Sequence, residues 1–322
     1  MSIGVVIPCY RVTSQILPVL AAIGPECTRI FIVDDACPEG TGDLVASRCN
    51  DSRVCVLRHS KNRGVGAAVI TGYRQALDEG LSIIVKIDGD GQMDPTLIPL
   101  LVGPLLSGEA DYTKGNRFFE PNHLKSMPMI RLLGNAALSF MTKLSSGYWT
   151  VFDPTNGFTA IHAEIARHLP MDKLAERYFF ESDVLFRLAL LRAKVADVPF
   201  PAHYGNERSS LNVFSSIPIF LRSHLRNFLK RIGYSYFLRD FTVASVELLC
   251  GVVLCSFGTI FGAIVWYRNA HAGILTNTGT VMIAVLPIIL GIQLLIAFLS
   301  YDISSVPREA VHPALLRRQS KI

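Results

Sequence analysis

The chain has 322 residues, half of them hydrophobic and only 18% charged, with a formal net charge of +5 and a mean hydropathy of +0.36. That is too apolar for an ordinary soluble enzyme and too mixed for a polytopic transporter, so a soluble part joined to a membrane part is expected. The modest charge, without a basic stripe interleaved with aromatics, excludes a nucleic-acid binder.

The first half alternates two kinds of segment. "IGVVIP" (3–8), "RIFIVDD" (29–35), "VCVLRH" (54–59) and "SIIVKID" (82–88) are short, nearly continuous apolar runs rich in Val and Ile. Such runs are expected of strands buried on both faces of a parallel sheet. Between them "SQILPVLAAIG", "GDLVASRCN" and "GAAVITGYRQALDEG" carry helical spacing and a Gly or Asn near their ends. The alternation predicts an α/β fold with a mostly parallel, Rossmann-like sheet. Ligands of open sheets bind beyond the carboxyl ends of the strands. Polar residues stand at four consecutive ends: Tyr10 and Arg11, then Asp34 and Asp35, then Asn62 to Gly66, then Asp88 and Asp90. Further on, "DYTKGNRF", "TNGFTAIH" and "KVADVPF" read as strands and "FESDVLFRLALLRA" as a helix.

Composition changes near residue 241. Segment 241–266 holds one charge, Glu247, and segment 281–301 holds none. At about 1.5 Å per helical residue, each can cross a hydrocarbon core of roughly 30 Å. Arg222, Arg226, Lys230, Arg231 and Arg239 precede the first run; Arg308, Arg317, Arg318 and Lys321 follow the second. The connecting loop, 267–280, holds only Arg268. The positive-inside rule therefore places both ends in the cytoplasm. Segment 213–232 sets basic residues at helical intervals among Phe, Leu and Ile, the pattern of an amphipathic helix on anionic headgroups. The expected division is thus 1–212 catalytic, 213–240 juxtamembrane, 241–301 two spans and 302–322 a basic cytoplasmic tail. The opening "MSIGVVIPCYR" lacks a charged leader and cleavage site, and the seven Cys form no C-x-x-C pair. Both features suit a domain facing a reducing cytosol at the inner membrane.

The acidic stretch "DGDGQMDP" (88–95) admits several readings. A Ca²⁺ loop wants an acid at position 5 and Glu at position 12, but Gln92 and Pro99 stand there. Asp94 before Pro95 is the pattern of a helix cap. Asp88 and Asp90 remain as a D-x-D pair, two oxygen ligands suited to Mg²⁺ or Mn²⁺ completed by substrate phosphates.

Taken together, "VIPCYR", "VDDACPEGT", "KNRGVGAA", "DGDGQMDP", "KGNR" and "DPTNGFTAI" resemble, in order and approximate spacing, family 2 glycosyltransferases of the GT-A fold. Within that family the chain looks most like polyprenyl-phosphate glycosyltransferases, such as dolichol-phosphate mannose synthases and bacterial undecaprenyl-phosphate sugar transferases. The resemblance covers about 3–212. It implies a nucleoside-diphosphate sugar donor, a polyprenyl-phosphate acceptor at the membrane and inversion at the transferred sugar, and it leaves room for a homo-oligomer. It implies that Pro8 and Tyr10 line the nucleobase and ribose pocket, that Asp35 bonds the base with Asp34 beside it, and that Asp88 and Asp90 hold the metal. It further places Gln92 near the donor and Arg117 on phosphate. The family's later G-E-S-K reads "GNERSSLN" here, with Arg208 in place of the Lys as acceptor-phosphate ligand. Asp153 or Asp183 orients the acceptor or shapes the site. His59, His162 and His203 show no ligand spacing and read as structural. Two other functions compete: transfer to a hydroxyl acceptor, with Asp183 as base, and a non-catalytic sugar-nucleotide-binding membrane partner. A processive synthase would carry Q-x-x-R-W, which is missing.

Overall fold

A computed structural model describes residues 1–117, 129–200 and 213–319. Arg208 and His203 lie outside them. The chain divides into two compact units, 1–228 with 307–322, and 229–306.

The first unit is built on seven strands: β1 (Ile3–Cys9), β2 (Cys27–Asp34), β3 (Val54–Arg58), β4 (Ile83–Lys86), β5 (Tyr112–Asn116), β6 (Thr159–His162) and β7 (Val195–Pro199). They form one sheet in the order β3-β2-β1-β4-β6-β5-β7. The pairings β1–β2, β1–β4, β2–β3 and β5–β7 are parallel, while β6 runs antiparallel to both its neighbours. Every residue of β1 is buried, as its unbroken apolar run requires of a strand covered on both faces. The covering helices are α1 (Ile16–Ala22), α2 (Thr41–Arg48), α3 (Val65–Asp78), α4 (Ile98–Leu106), α5 (Met129–Ser146), α6 (Ala163–His168) and α7 (Phe180–Leu190). Asp94 caps the turn before α4 as expected, its Oδ1 accepting from Thr96 N at 2.9 Å.

Strand order reverses between β1 and β4, the switch point at which open α/β sheets bind ligands. Pro8 stands there. The β1–β4 ladder ends at Val6–Lys86. With no N–H, Pro8 cannot extend it, and the two strand ends are free to part.

Helix α8 (Val213–Ile232) has the expected bounds and exposes Ile217, Ile219, Leu221, Leu225 and Leu229. The second unit continues from its last turn through a π-helical stretch, Gly233–Arg239, into α9 (Val243–Ala272) and α10 (Thr278–Ser304). At 30 and 27 residues both helices are long and apolar enough to cross a membrane. They outrun the apolar segments from which they were expected, and residues 273–277 suffice to join them, because Gly273 adopts a left-handed φ of 68° and Asn277 caps α10. The two pack closely: a Cβ at Gly291 would lie 2.6 Å from Cys255 Sγ. Near the start and end of this unit, Arg231 holds Asp302 with two hydrogen bonds, of 2.6 and 3.0 Å. Residues 307–319, including α11 (His312–Gln319), fold with the first unit.

Candidate active site

At the end of β2 both acids are buried and engaged. Asp34 accepts from Cys37 N at 2.7 Å and from Gly42 N at 2.6 Å, closing the turn into α2. Asp35 accepts from Arg63 N at 2.9 Å and Gly64 N at 2.7 Å, clasping the loop that leads from β3 to α3. His59 Nδ1 lies 2.7 Å from Asp35 Oδ1 and Nε2 lies 2.9 Å from Thr71 Oγ1. A carboxylate can only accept, so the first contact assigns a proton to Nδ1. His59 therefore serves Asp35, which sequence spacing did not reveal. Beside them a cavity of about 590 Å³ is lined by Ser60, Lys61, Asn62, Arg63, Glu176 and Arg177. Tyr10 is exposed, with the Arg11 guanidinium 5.4 Å from its ring centre.

The end of β4 is different. Lys86, in the strand itself, is 1% exposed, and its Nζ lies 2.9 Å from both Asp88 Oδ1 and Glu181 Oε1. Burial would push this ammonium down, but Asp88 and then Glu181 outweigh it and hold the group above the ordinary lysine value. Asp88 remains 30% exposed, and among the described residues no donor reaches its Oδ2. Gly157, of "TNGF", closes over the pair: a Cβ there would stand 2.3 Å from Asp88 Oδ2 and 2.5 Å from Lys86 Nζ. Asp90, half-buried, accepts from Gln92 N through Oδ1 at 3.0 Å.

Beyond β5, Arg117 and Asp153 meet each other, through bonds of 2.8 and 3.2 Å, with Asp153 buried. Lys114 is wholly buried beneath them and donates to Asn156 O. Burial pulls its ammonium down to about 8, against the opposing pull of Glu181 and Asp153. Asp183 is fully buried. It accepts from Ala175 N at 3.1 Å and from Asn227 Nδ2 at 2.9 Å, joining α7 to a loop and to α8.

The structure thus brings Asp88 together with Lys86 and Glu181, and Arg117 with Asp153, and sets Asp183 apart from them. Lys86 and Lys114 are the residues that sequence reasoning missed; Glu181, like Asp183, stands in the first turn of α7, where either acid reads from sequence as one favoured by the helix dipole. As for metal, no group of three or more His, Cys, Asp or Glu side chains is gathered among the described residues. Two carboxylates with oxygen donors only, one of them partly open to solvent, fit a hard divalent cation that takes its remaining ligands from substrate and water.

A mostly parallel α/β sheet with polar residues at its switch point defines a fold that binds its ligands beyond the carboxyl ends of the strands. Residues 4–169 match the model of glycosyl transferase family 2, and the chain belongs to that family; it is a glycosyltransferase. It is 29% identical over 236 residues to the UDP-N-acetylglucosamine–dolichyl-phosphate N-acetylglucosaminyltransferase of Methanococcus voltae, covering 68% of this chain and 94% of that one. It is 30% identical over 204 residues to the undecaprenyl-phosphate mannosyltransferase of Micrococcus luteus, covering 62% and 82%. Among solved structures, glucosyl-3-phosphoglycerate synthase from Mycobacterium tuberculosis, with Mn²⁺, UDP and glucosyl-3-phosphoglycerate, superposes with a TM-score of 0.54 at 22% identity, over 72% of this chain and 80% of that one. That likeness carries the GT-A fold.

Proposed function

We propose that this glycosyltransferase moves a hexose-type sugar from a nucleoside diphosphate to a polyprenyl phosphate at the cytoplasmic face of the membrane, with inversion. The observation that carries the reading is the joining of a family 2 domain to two helices of 30 and 27 residues long enough to cross a membrane. The relatives named for dolichyl- and undecaprenyl-phosphate support the same acceptor class.

In this reading Asp88 and Asp90 hold Mg²⁺ or Mn²⁺, as the donor set allows and as Mn²⁺ in the tuberculosis synthase supports. A divalent cation there would supply neutralisation of the charge that builds on the leaving diphosphate. Pro8 and Tyr10 border the nucleoside, and Asp35 shapes its pocket by holding the 62–64 loop. Gln92, whose amide N–H holds Asp90, stands by the diphosphate. Arg117 and Asp153 act as one unit, the acid aiming the guanidinium towards phosphate. A phosphate monoester has a second pKa near 6 and is already an anionic nucleophile, so no strong base is needed. The burial of Asp183 accords with that and disfavours transfer to a hydroxyl. Arg208 is proposed for the acceptor phosphate.

The deciding experiment incubates membranes bearing the chain with undecaprenyl or dolichyl phosphate and a panel of radiolabelled nucleotide sugars. Labelled lipid with one donor is expected; label only on soluble acceptors would remove the lipid-phosphate reading. For topology, with native cysteines replaced, a Cys at Asn277 should react with an impermeant reagent outside intact cells and a Cys at Ser320 should not. The reverse pattern would overturn the cytoplasmic placement of the termini.

A further inference from the structure

Lys86 has no place in the functions assigned so far. A lysine ammonium buried in the middle of a sheet is costly unless it is paired, and this one is paired twice, with Asp88 and Glu181 at 2.9 Å each. The arrangement is closed on one side by Gly157, where any side chain would strike both Lys86 and Asp88. Any divalent cation that uses Asp88 must therefore share the carboxylate with a positive charge already touching one of its oxygens. Like charges at such distances repel strongly in a partly buried site. A donor diphosphate, bringing oxygens and negative charge, offsets that repulsion.

We propose that Lys86, backed by Glu181, is a positioning residue that sets the metal affinity of the Asp88–Asp90 pair. It holds one oxygen of Asp88 and keeps affinity for the bare cation low, so that metal is retained chiefly together with the donor diphosphate. The inference rests on Asp88 and Asp90 being the metal pair. Glu181 acts in the opposite sense from Lys86, because it draws off part of the ammonium's field. Removing the lysine and removing the glutamate should therefore shift metal affinity in opposite directions, which loss of packing at either position would not do.

The test measures Mn²⁺ binding by the full chain in detergent, from the electron paramagnetic resonance signal of free Mn²⁺, with Mn²⁺ alone and with UDP or GDP added. Lys86→Met should bind bare Mn²⁺ at least tenfold more tightly than wild type while losing turnover, and Lys86→Arg should stay close to wild type in affinity. With nucleotide present, Glu181→Gln should bind Mn²⁺ several-fold more weakly. If Lys86→Met does not fold, the double variant Lys86→Met/Glu181→Gln, which removes charge and counter-charge together, should still bind more tightly than Glu181→Gln alone. Unchanged or weaker binding on loss of Lys86, or tighter binding on loss of Glu181, overturns the proposal. Asp90→Asn is included to separate the two layers. If it leaves Mn²⁺ binding intact, the metal pair itself is misassigned. If it abolishes binding while the Lys86 variants show no shift, only the role of Lys86 falls.

Discussion

The ends of β2 and β4 each carry two aspartates, and the chain uses them in opposite ways. At β2, four backbone N–H groups of Cys37, Gly42, Arg63 and Gly64 point at Asp34 and Asp35. Those carboxylates are spent on folding two loops. At β4, Asp88 meets one ammonium through one oxygen and its side chain remains 30% exposed. Asp90 beside it accepts from one backbone N–H, that of Gln92. Identical side chains at two strand ends thus differ in how many donors the local backbone turns towards them, and the proposed metal role falls on the pair with fewer.

The sharpest way to break this comparison is at Asp90. Asp90→Ala should lower turnover by about two to three orders of magnitude, the scale for losing one stabilising group at a developing charge, while thermal melting stays unchanged. Full activity in excess EDTA, or a variant as active as wild type, would place β4 with β2 as mere architecture.

Asp34→Ala should show the reverse profile. Two amide N–H groups lose their acceptor, at about 1–3 kcal/mol each where burial denies them water. Melting temperature should fall, and the fraction that remains folded should keep a kcat close to wild type. A normal melt with lost turnover would mean that Asp34 touches substrate after all.

A smaller effect is expected at Lys114, whose folded value of about 8 lies below the ordinary 10.5. Below pH 8 both folded and unfolded chains hold this proton, and the penalty for burying the charge is present in full. Between about 8 and 10.5 the folded chain has released the proton and the unfolded chain has not. Stability contributed by this residue therefore rises with pH across that window. Melts of wild type and Lys114→Met should converge or cross as pH rises from 8 to 10.5; a constant gap would show that Lys114 does not titrate there.

Much of this was readable in advance, and the exceptions have physical causes. Strands β1, β2 and β4 announce themselves because burial on both faces demands uninterrupted Val and Ile, whereas β3, expected to be covered likewise, lies at the sheet edge and is only half-buried. Lys86 and Lys114 were not legible, since a lysine in a strand ordinarily points to solvent and nothing local marks its counter-ion. Lys86 finds Glu181 95 positions further along the chain. Glu181 and Asp183 could not be told apart either. Two residues apart on a helix, they point about 200° away from each other, so one faces the site and the other the interior. Which is which depends on how α7 is rotated against the sheet, a property of packing. Helix α5 was missed because it falls in a stretch of mixed composition, between the strand readings at 111–118 and 155–162.

The mildest prediction concerns a third carboxylate, at the opposite end of the sheet. Asp111, just before β5, is fully buried and as saturated as Asp34. It accepts from Lys194 N at 2.8 Å, from His312 N at 2.8 Å, from Val311 N at 2.8 and 3.0 Å, and contacts His312 Nδ1 at 2.9 Å. The His312 ring stacks on His162 with centres 4.0 Å apart. If donor saturation marks an architectural acid, this one exists to hold the returning tail and has no part in turnover. His312→Ala should remove one side-chain bond and one stacked ring, costing about 1–2 kcal/mol, with kcat and KM for both substrates unchanged. Its visible consequence should be faster trypsin cleavage at Arg317 and Arg318, since the helix that carries them would open more often. Asp111→Asn, which weakens every one of these contacts, should speed that cleavage further. If the tail stays equally protected in both variants, contacts other than Asp111 hold it, and donor count is a poor guide to what a buried aspartate is for.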